Sequence, residues 1–364
     1  MIVIGADTHK STHTCGAVFA ASGQLAGELM IPAREPGFRE LLAWGRGLDP
    51  ERIWAIEDCR HVSGSLERFL VAAGERVVRV PPKLMGESRR AERSAGKSDA
   101  IDALAVARAA LREGPESLPT AHLDQSALQL KLLLDHREDL VKARSEDQQR
   151  LRWHLHDLWP ELELPAGCLD RIVWLDRLAR KLSRSEQGTR VKIARELVSE
   201  IRRRSRRARD LQAEIAALVE VQAPQLLELE GCGALTAAKL LAETAGAARL
   251  ASDAKFARLA GVAPIPASSG KRTRQRLDRG GNRQLNCALH RIAVCQGRVH
   301  PPAREFLARK QGEGKSRREA LRCLKRHLAR RVWKLLIDSE IDQSLSHPVD
   351  SQRGLMVSQI AAVA

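Results

Sequence analysis

Apolar and polar positions change period several times within the first hundred residues. Met1 to Ala6 is a short apolar run that stops at Asp7, Thr12 to Ala20 and Ala26 to Ile31 read as further strands, and Gly37 to Arg46 has a helical period. Ile53 to Ile56 is again strand-like, Val62 to Ala73 helical, and Arg76 to Val80 β-rich before Pro81-Pro82 breaks the chain. Short turns such as Ser22-Gly23 join the first three strands, which predicts an antiparallel meander, with later strands added through helical crossovers. From about Asp124 to Val221 apolar residues recur three and four apart with few glycines, so long helices are expected. Trp159-Pro160 and Leu164-Pro165-Ala166-Gly167 divide that stretch into arms Gln125 to Leu158 and Leu169 to Val221. The arms could pair as an antiparallel or intermolecular coiled coil, and a plain helical linker competes with a coiled-coil dimer interface. Residues 224–334 are again helical, and the tail from about Asp338 is acidic, small-residue-rich and expected to be loosely ordered.

The strand order implied for the first part is that of an RNase H-like sheet. Length and composition agree with a multidomain globular chain, since 364 residues with 43% hydrophobic side chains can fill two or three cores. No segment approaches the roughly 18 apolar residues of a membrane span, and no secretory signal is visible, so a cytoplasmic protein is expected. The seven cysteines include no C-x-x-C pair, which argues against a disulfide framework or structural zinc. Charge changes the picture most. Of the net +16, residues 250–334 alone carry 22 basic and 5 acidic side chains, a surplus of +17 that would repel itself without a polyanion nearby. Nucleic acid is the expected partner. The run Arg202 to Arg207 could touch a phosphate backbone or be a solvated helix face.

Four carboxylates stand where strands end or a helix begins. Asp7 closes the first strand, Glu57 closes Arg52 to Ile56, and Asp99 and Asp102 open the helix after Lys97-Ser98, three apart and therefore on one face. Acids converging from three segments would be costly without a cation, whereas Mg²⁺ prefers oxygen ligands and a pair of such ions serves phosphoryl displacement. Asp58 is a further candidate ligand. His9, His13, His61, His122, His290 and His300 have no convincing ligand spacing and default to surface or packing roles.

Hydroxyls Ser268 and Ser269 sit in a Gly/Pro-rich loop followed by Gly270, Lys271, Arg272, Arg274, Arg276, Arg279 and Arg283. A serine there can attack a phosphodiester while the arginines neutralise developing charge. The chain contains no tyrosine, which excludes a tyrosine-nucleophile recombinase. Glu230-Gly231-Cys232-Gly233 opens an alanine-rich helix in the manner of a helix-hairpin-helix, where the turn and helix N-terminus offer N–H groups to a phosphate without base specificity. A glycine turn between packed helices would look the same.

Gly5-Ala6-Asp7-Thr8-His9-Lys10, Ala55-Ile56-Glu57-Asp58, Lys97 to Ala103, Glu230 to Gly233, and Gly261-Val262-Ala263-Pro264 through Ser268-Ser269-Gly270 together closely resemble the insertion-sequence one-ten (and eleven-eleven) family, the DEDD transposases. The resemblance covers about residues 1–335. It implies a RuvC-like catalytic domain at 1–115, a helical coiled-coil linker at 116–222, a mainly α-helical, basic transposase domain at 223–337 and a flexible tail at 338–364. It further implies that Asp7, Glu57, Asp99 and Asp102 hold Mg²⁺, and that Ser269 is the nucleophile that takes the cut strand as a phosphoserine. The implied partners are donor and target DNA, a structured bridge RNA that pairs with both, and further copies of the chain. Dimers would become tetrameric synaptic assemblies in which one subunit's acids meet another's serine. The setting implied is the bacterial cytoplasm, at the nucleoid when acting.

Three other readings compete. A RuvC-like Holliday-junction resolvase would cut with metal-activated water, a non-enzymatic binding protein would use only the basic C-terminal region, and an actin-like ATPase would need Gly-rich phosphate loops that are missing near Asp7.

Overall fold

The structure, a computed structural model, describes residues 1–57, 60–81, 84, 98–121, 124–267, 275–276, 278 and 281–346. Its contacts group into two compact units, Met1–Asp124 and Gln125–Ala364.

The first unit is a five-stranded sheet with helices on both faces. Strands β1 (Ile2–Thr8), β2 (Thr12–Phe19) and β3 (Leu25–Pro32) form the expected antiparallel meander. Helix α1 (Glu35–Leu48) then leads to β4 (Arg52–Glu57), and α2 (Arg60–Ala72) to β5 (Val77–Val80); β4 is parallel to β1, and β5 to β4. The order β3-β2-β1-β4-β5 is that of the RNase H-like sheet expected from the sequence. Alternation along the strands separates two cores. Ile2, Ile4, Ala6, Trp54 and Ile56 pack with Phe38 and Leu41 of α1 and Leu66 and Leu70 of α2. On the opposite face, Val3, Ile53, Ala55 and Val78 pack with Ala105, Val106 and Ala109 of α3 (Asp99–Glu113).

Helix α3 lies very close to the sheet, and two glycines permit it. Gly5 and Gly16 face each other across β1 and β2; a Cβ on Gly5 would collide with the Ala103 carbonyl oxygen and the Ala107 nitrogen, and one on Gly16 with Leu104. Small residues at 103 and 107 complete the fit. Ser98 caps α3, its Oγ accepting from the Ile101 N–H at 3.3 Å.

In the second unit, α4 (Gln125–Leu158) and α6 (Thr189–Gln222) are joined through α5 (Ile172–Ser183). Their links run in reverse order, Arg137 to Gln212, Arg204 to Asp147 and Arg190 to Asp157, so the helices pair antiparallel within one chain. Buried positions of α6, among them Val191, Ala194, Val198 and Ile201, recur three and four apart. The middle of the pair is polar, with buried Asp147 held by Arg204. Apolar clusters sit at either end. One joins Leu151 and Leu155 to Leu175, Leu182, Val191 and Ile201. The other gathers Ile215 and Val219 with helices α8 (Ala234–Thr244), α9 (Asp253–Leu259), α10 (Arg283–Val299) and α12 (Arg317–Ser346) through Leu240, Phe256, Leu289, Ile292 and Val332. Short α7 (Pro224–Leu227) and α11 (Pro301–Gly312) complete this unit.

The last helix continues past 338, where a loose tail was expected, to Ser346. Leu336, Ile337 and Ser339 are buried there, and Glu340 accepts the Ala247 and Ala248 N–H groups at 2.5 and 3.0 Å, which holds the added turns in place.

Candidate metal centre and nucleic-acid-binding loop

Four acids come to one end of the sheet through strand register and the seating of one helix. Ala6 is the last residue of β1 paired with β4, opposite Ile56, so Asp7 and Glu57 come next in step on neighbouring parallel strands. Both continue the alternation of Val3–Gly5 and Ile53–Ala55, which faces α3. The tight seat of α3 on Gly5 places its first turn, with Asp99 and Asp102, over the same strand end. The positive end of the helix dipole favours carboxylates there.

Asp7 and Asp102 are each 7% exposed, while the Asp99 side chain is half exposed. Burial, and then the negative charges of Asp102 and Asp99, push the Asp7 carboxyl above its ordinary range, against an opposing pull from His9. Glu57 is half-buried at the end of β4 and engaged in contacts of its own. Asp58 lies outside the described residues.

His9 was missed by spacing arguments. The structure puts its Nε2 3.1 Å from Asp7 Oδ2 and 3.5 Å from Asp99 Oδ1, and one ligand atom from each of the three lies within 4.8 Å of the others. A signal existed: Asp7 and His9 are two apart at a strand end, and so fall on one side of extended chain. The tight turn to β2, closed by the His9 N–H to the Thr12 carbonyl at 3.0 Å, keeps it there. His13, by contrast, is a packing residue, fully buried and stacked on Phe38 with ring centroids 5.7 Å apart.

The chemistry of this donor set fits a divalent cation. Carboxylate oxygens dominate, Asp7 is buried among like charges, and Thr14, which pairs with Asp7 across β1 and β2, has a buried Oγ1 with no hydrogen-bond partner among the described residues.

In the second unit, the arginine-rich loop is described at its base. Strands β6 (Ile265–Pro266) and β7 (Gln275–Arg276) pair antiparallel, and between them in the sequence come Ser268, Ser269, Gly270, Lys271, Arg272 and Arg274. Those six, and Arg279, lie outside the described residues. Arg276 on β7 and Arg283 at the start of α10 are exposed.

A buried polar network anchors the loop base. Asn286 Nδ2 donates to the carbonyls of Ala260 and Gly261 at 3.0 and 2.9 Å, and its Oδ1 accepts from Lys325 at 2.5 Å. Burial lowers the Lys325 pKa to about 8. Asn282 caps α10 through the Gln284 and Leu285 N–H groups and donates to Glu243 at 2.7 Å, and Glu243 in turn accepts from Lys131 at 2.9 Å. A Cβ on Gly281 would collide with the Gly261 nitrogen and Cα, and Gly261 itself sits in the left-handed region at φ +62°, which disfavours a side chain there.

Gly231 (φ +84°) makes the turn before α8, and a Cβ there would lie 2.9 Å from that of Cys295 on α10. Gly233 caps α8 and faces open space. The turn is thus packed on one side and accessible at the helix N-terminus. Three of the five arginines of the Arg202 to Arg207 run pair within the chain, Arg202 with Asp176, Arg203 with Glu200 and Arg204 with Asp147. A less conspicuous basic face lies on α5, where Arg177, Arg180, Lys181 and Arg184 line an open groove, and Lys181 sits 4.4 Å over the Trp159 ring.

Acids on a sheet end together with a basic helical region suit an enzyme acting on nucleic acid, and the family matches narrow the class to transposases with a nuclease-like N-terminal domain. Residues 4–160 match the family model described as "Transposase", of the DEDD kind, and residues 223–308 the model described as "Transposase IS116/IS110/IS902 family". The chain is 26% identical to the insertion element IS116 protein of Streptomyces clavuligerus, 25% to that of IS900 from Mycobacterium paratuberculosis and 26% to that of IS110 from Streptomyces coelicolor. Each alignment spans 93–94% of this chain and 96% of the relative. The protein belongs to the IS110 family of insertion-element transposases. DNA is accordingly its substrate, and no described helix is long and apolar enough to cross a membrane.

Proposed function

We propose that this transposase cuts and rejoins DNA strands under the guidance of a bridge RNA, with Ser269 as nucleophile and Asp7, Glu57, Asp99 and Asp102 as ligands of Mg²⁺. The observation that carries the reading is the gathering of Asp7, Asp99 and Asp102 at the end of β1, with Glu57 in step on β4. Divalent ions bound there would neutralise charge developing on the phosphoryl oxygens. The serine Oγ displaces one sugar oxygen from phosphorus, its proton leaving with that oxygen, so a phosphoserine bond forms as a phosphodiester bond breaks. Attack by a sugar hydroxyl of another strand reverses the exchange and frees the serine. One phosphoester replaces another at each step, and no outside energy source is required.

The lysine and arginines of the loop, Lys271, Arg272, Arg274, Arg276, Arg279 and Arg283, together with the Gly231–Gly233 turn, would hold phosphates of DNA or bridge RNA. Charge and shape carry that recognition, since aromatic residues are only 3% of the chain. The nuclease-like unit of one subunit would face the serine loop of another in a tetrameric assembly built from dimers.

Trapping tests the reading. With bridge RNA, DNA and Mg²⁺, a denaturant-resistant protein–DNA adduct is expected from the wild type and from Ser268→Ala and is expected to vanish in Ser269→Ala. Nicked DNA with no adduct in the wild type would show that water is the nucleophile.

A further inference from the structure

His9 holds a position that a purely structural histidine has no need to occupy. Its side chain is half exposed, with Nε2 directed at two carboxylate oxygens from different elements. We propose that His9 is a nitrogen ligand of the divalent cation, beside Asp7 and Asp99, and that it tilts the site toward first-row transition ions such as Mn²⁺ over Mg²⁺. The inference rests on the reading of the acids as a metal site.

Distances carry it. Ligand atoms about 2.0–2.2 Å from an octahedral ion, at right angles to one another, are about 3.0 Å apart. Nε2 lies 3.1 Å from Asp7 Oδ2 and 3.5 Å from Asp99 Oδ1, close to two edges of such an octahedron, with the third edge within 4.8 Å, so a cation would take the place of the proton His9 and Asp7 now share in a hydrogen bond. The donor atoms come from well-held elements. Asp7 ends a buried strand, Asp99 stands in the first turn of a capped helix, and His9 belongs to a closed hairpin turn. Half exposure of His9 and Asp99 leaves the remaining coordination positions open to water or a phosphate oxygen.

Ligand chemistry then sets the preference. Mg²⁺ favours oxygen and sheds water reluctantly, whereas affinity for a nitrogen donor rises along the first transition row from Mn²⁺. An imidazole also binds the ion without adding another negative charge beside the scissile phosphate, unlike a further carboxylate.

The test uses the full chain loaded with Mn²⁺ and read by electron spin-echo envelope modulation, with affinities taken from titration of Mn²⁺ and of Mg²⁺ in competition. The wild type is expected to show a ¹⁴N coupling that disappears in His9→Gln, with Mn²⁺ bound at least about tenfold more weakly and Mg²⁺ changed less than about threefold. Circular dichroism of His9→Gln should match the wild type. Bound Mn²⁺ without ¹⁴N coupling, or a coupling that survives in His9→Gln, overturns the assignment of His9 and leaves the carboxylate site standing. Mn²⁺ binding that survives unchanged in Asp7→Asn overturns both.

Discussion

The two chemically marked regions of this transposase are built in opposite ways. The acids stand on regular elements, at the ends of β1 and β4 and in the first turn of α3, and their meeting follows from strand register and one close helix–sheet contact. The serines and most of the arginines of the basic segment lie outside the described residues, and the segments flanking them are tied down by Asn282, Asn286, Glu243 and Lys325. The difference is one of tolerance. A site held by register fails when packing is disturbed, whereas a site held by a few buried hydrogen bonds fails one bond at a time.

The sharpest way to break the comparison is at Gly5. Gly5→Ala would push α3 off the sheet, and overpacking of this kind against backbone costs on the order of 3 kcal/mol. The expected result is a lowered thermal midpoint and loss of DNA cleavage together, while Gly47→Ala in α1, with open space around it, leaves cleavage unchanged and does not lower the midpoint. Asn286→Ala is the corresponding blow to the loop. It leaves the buried Lys325 ammonium and two carbonyls short of partners, a cost of about 2–3 kcal/mol. Adduct formation should fall in that variant while divalent-ion binding, read by titration, stays at the wild-type level. Equal loss of both would erase the separation drawn here.

Lys325 sharpens the comparison through pH. Its folded pKa is lowered by burial to about 8, below the unfolded value of 10.5, so the unfolded chain binds the proton more tightly. Stability should therefore rise as pH increases from about 8 toward 10.5, by no more than about 1.4 kcal/mol per pH unit. Denaturant titrations should show this contribution in the wild type and its loss in Lys325→Met. The smallest effect is expected at the helix cap: Ser98→Ala should cost about 1 kcal/mol and weaken divalent-ion binding only slightly, because α3 remains seated on Gly5 and Gly16.

Much of the N-terminal unit was legible in the amino-acid sequence because its signals are local. Alternation gave the strands, short turns gave the meander, and Ser98 before Asp99 marked a helix start, all of which recur in the structure. Less was legible where the cause is distant in sequence. Asn286 and Lys325 are 39 residues apart, and nothing local announces that they meet beneath the loop. His9 escaped for a different reason: a search for paired-histidine spacing overlooks one histidine that shares a strand end with an acid. For the Arg202 to Arg207 run two roles stayed open, and charge density alone did not reveal the ion pairs made by Arg202, Arg203 and Arg204.

The account stands on the acids holding the metal for strand cleavage, apart from the groups that hold nucleic acid. The most direct measurement is cleavage of donor DNA and binding of bridge RNA by Asp102→Ala, assayed side by side with the wild type in Mg²⁺. Cleavage should fall at least about a thousandfold, equivalent to about 4 kcal/mol of barrier, with RNA affinity unchanged. Cleavage at the wild-type rate, or loss of RNA binding in step with cleavage, would contradict it.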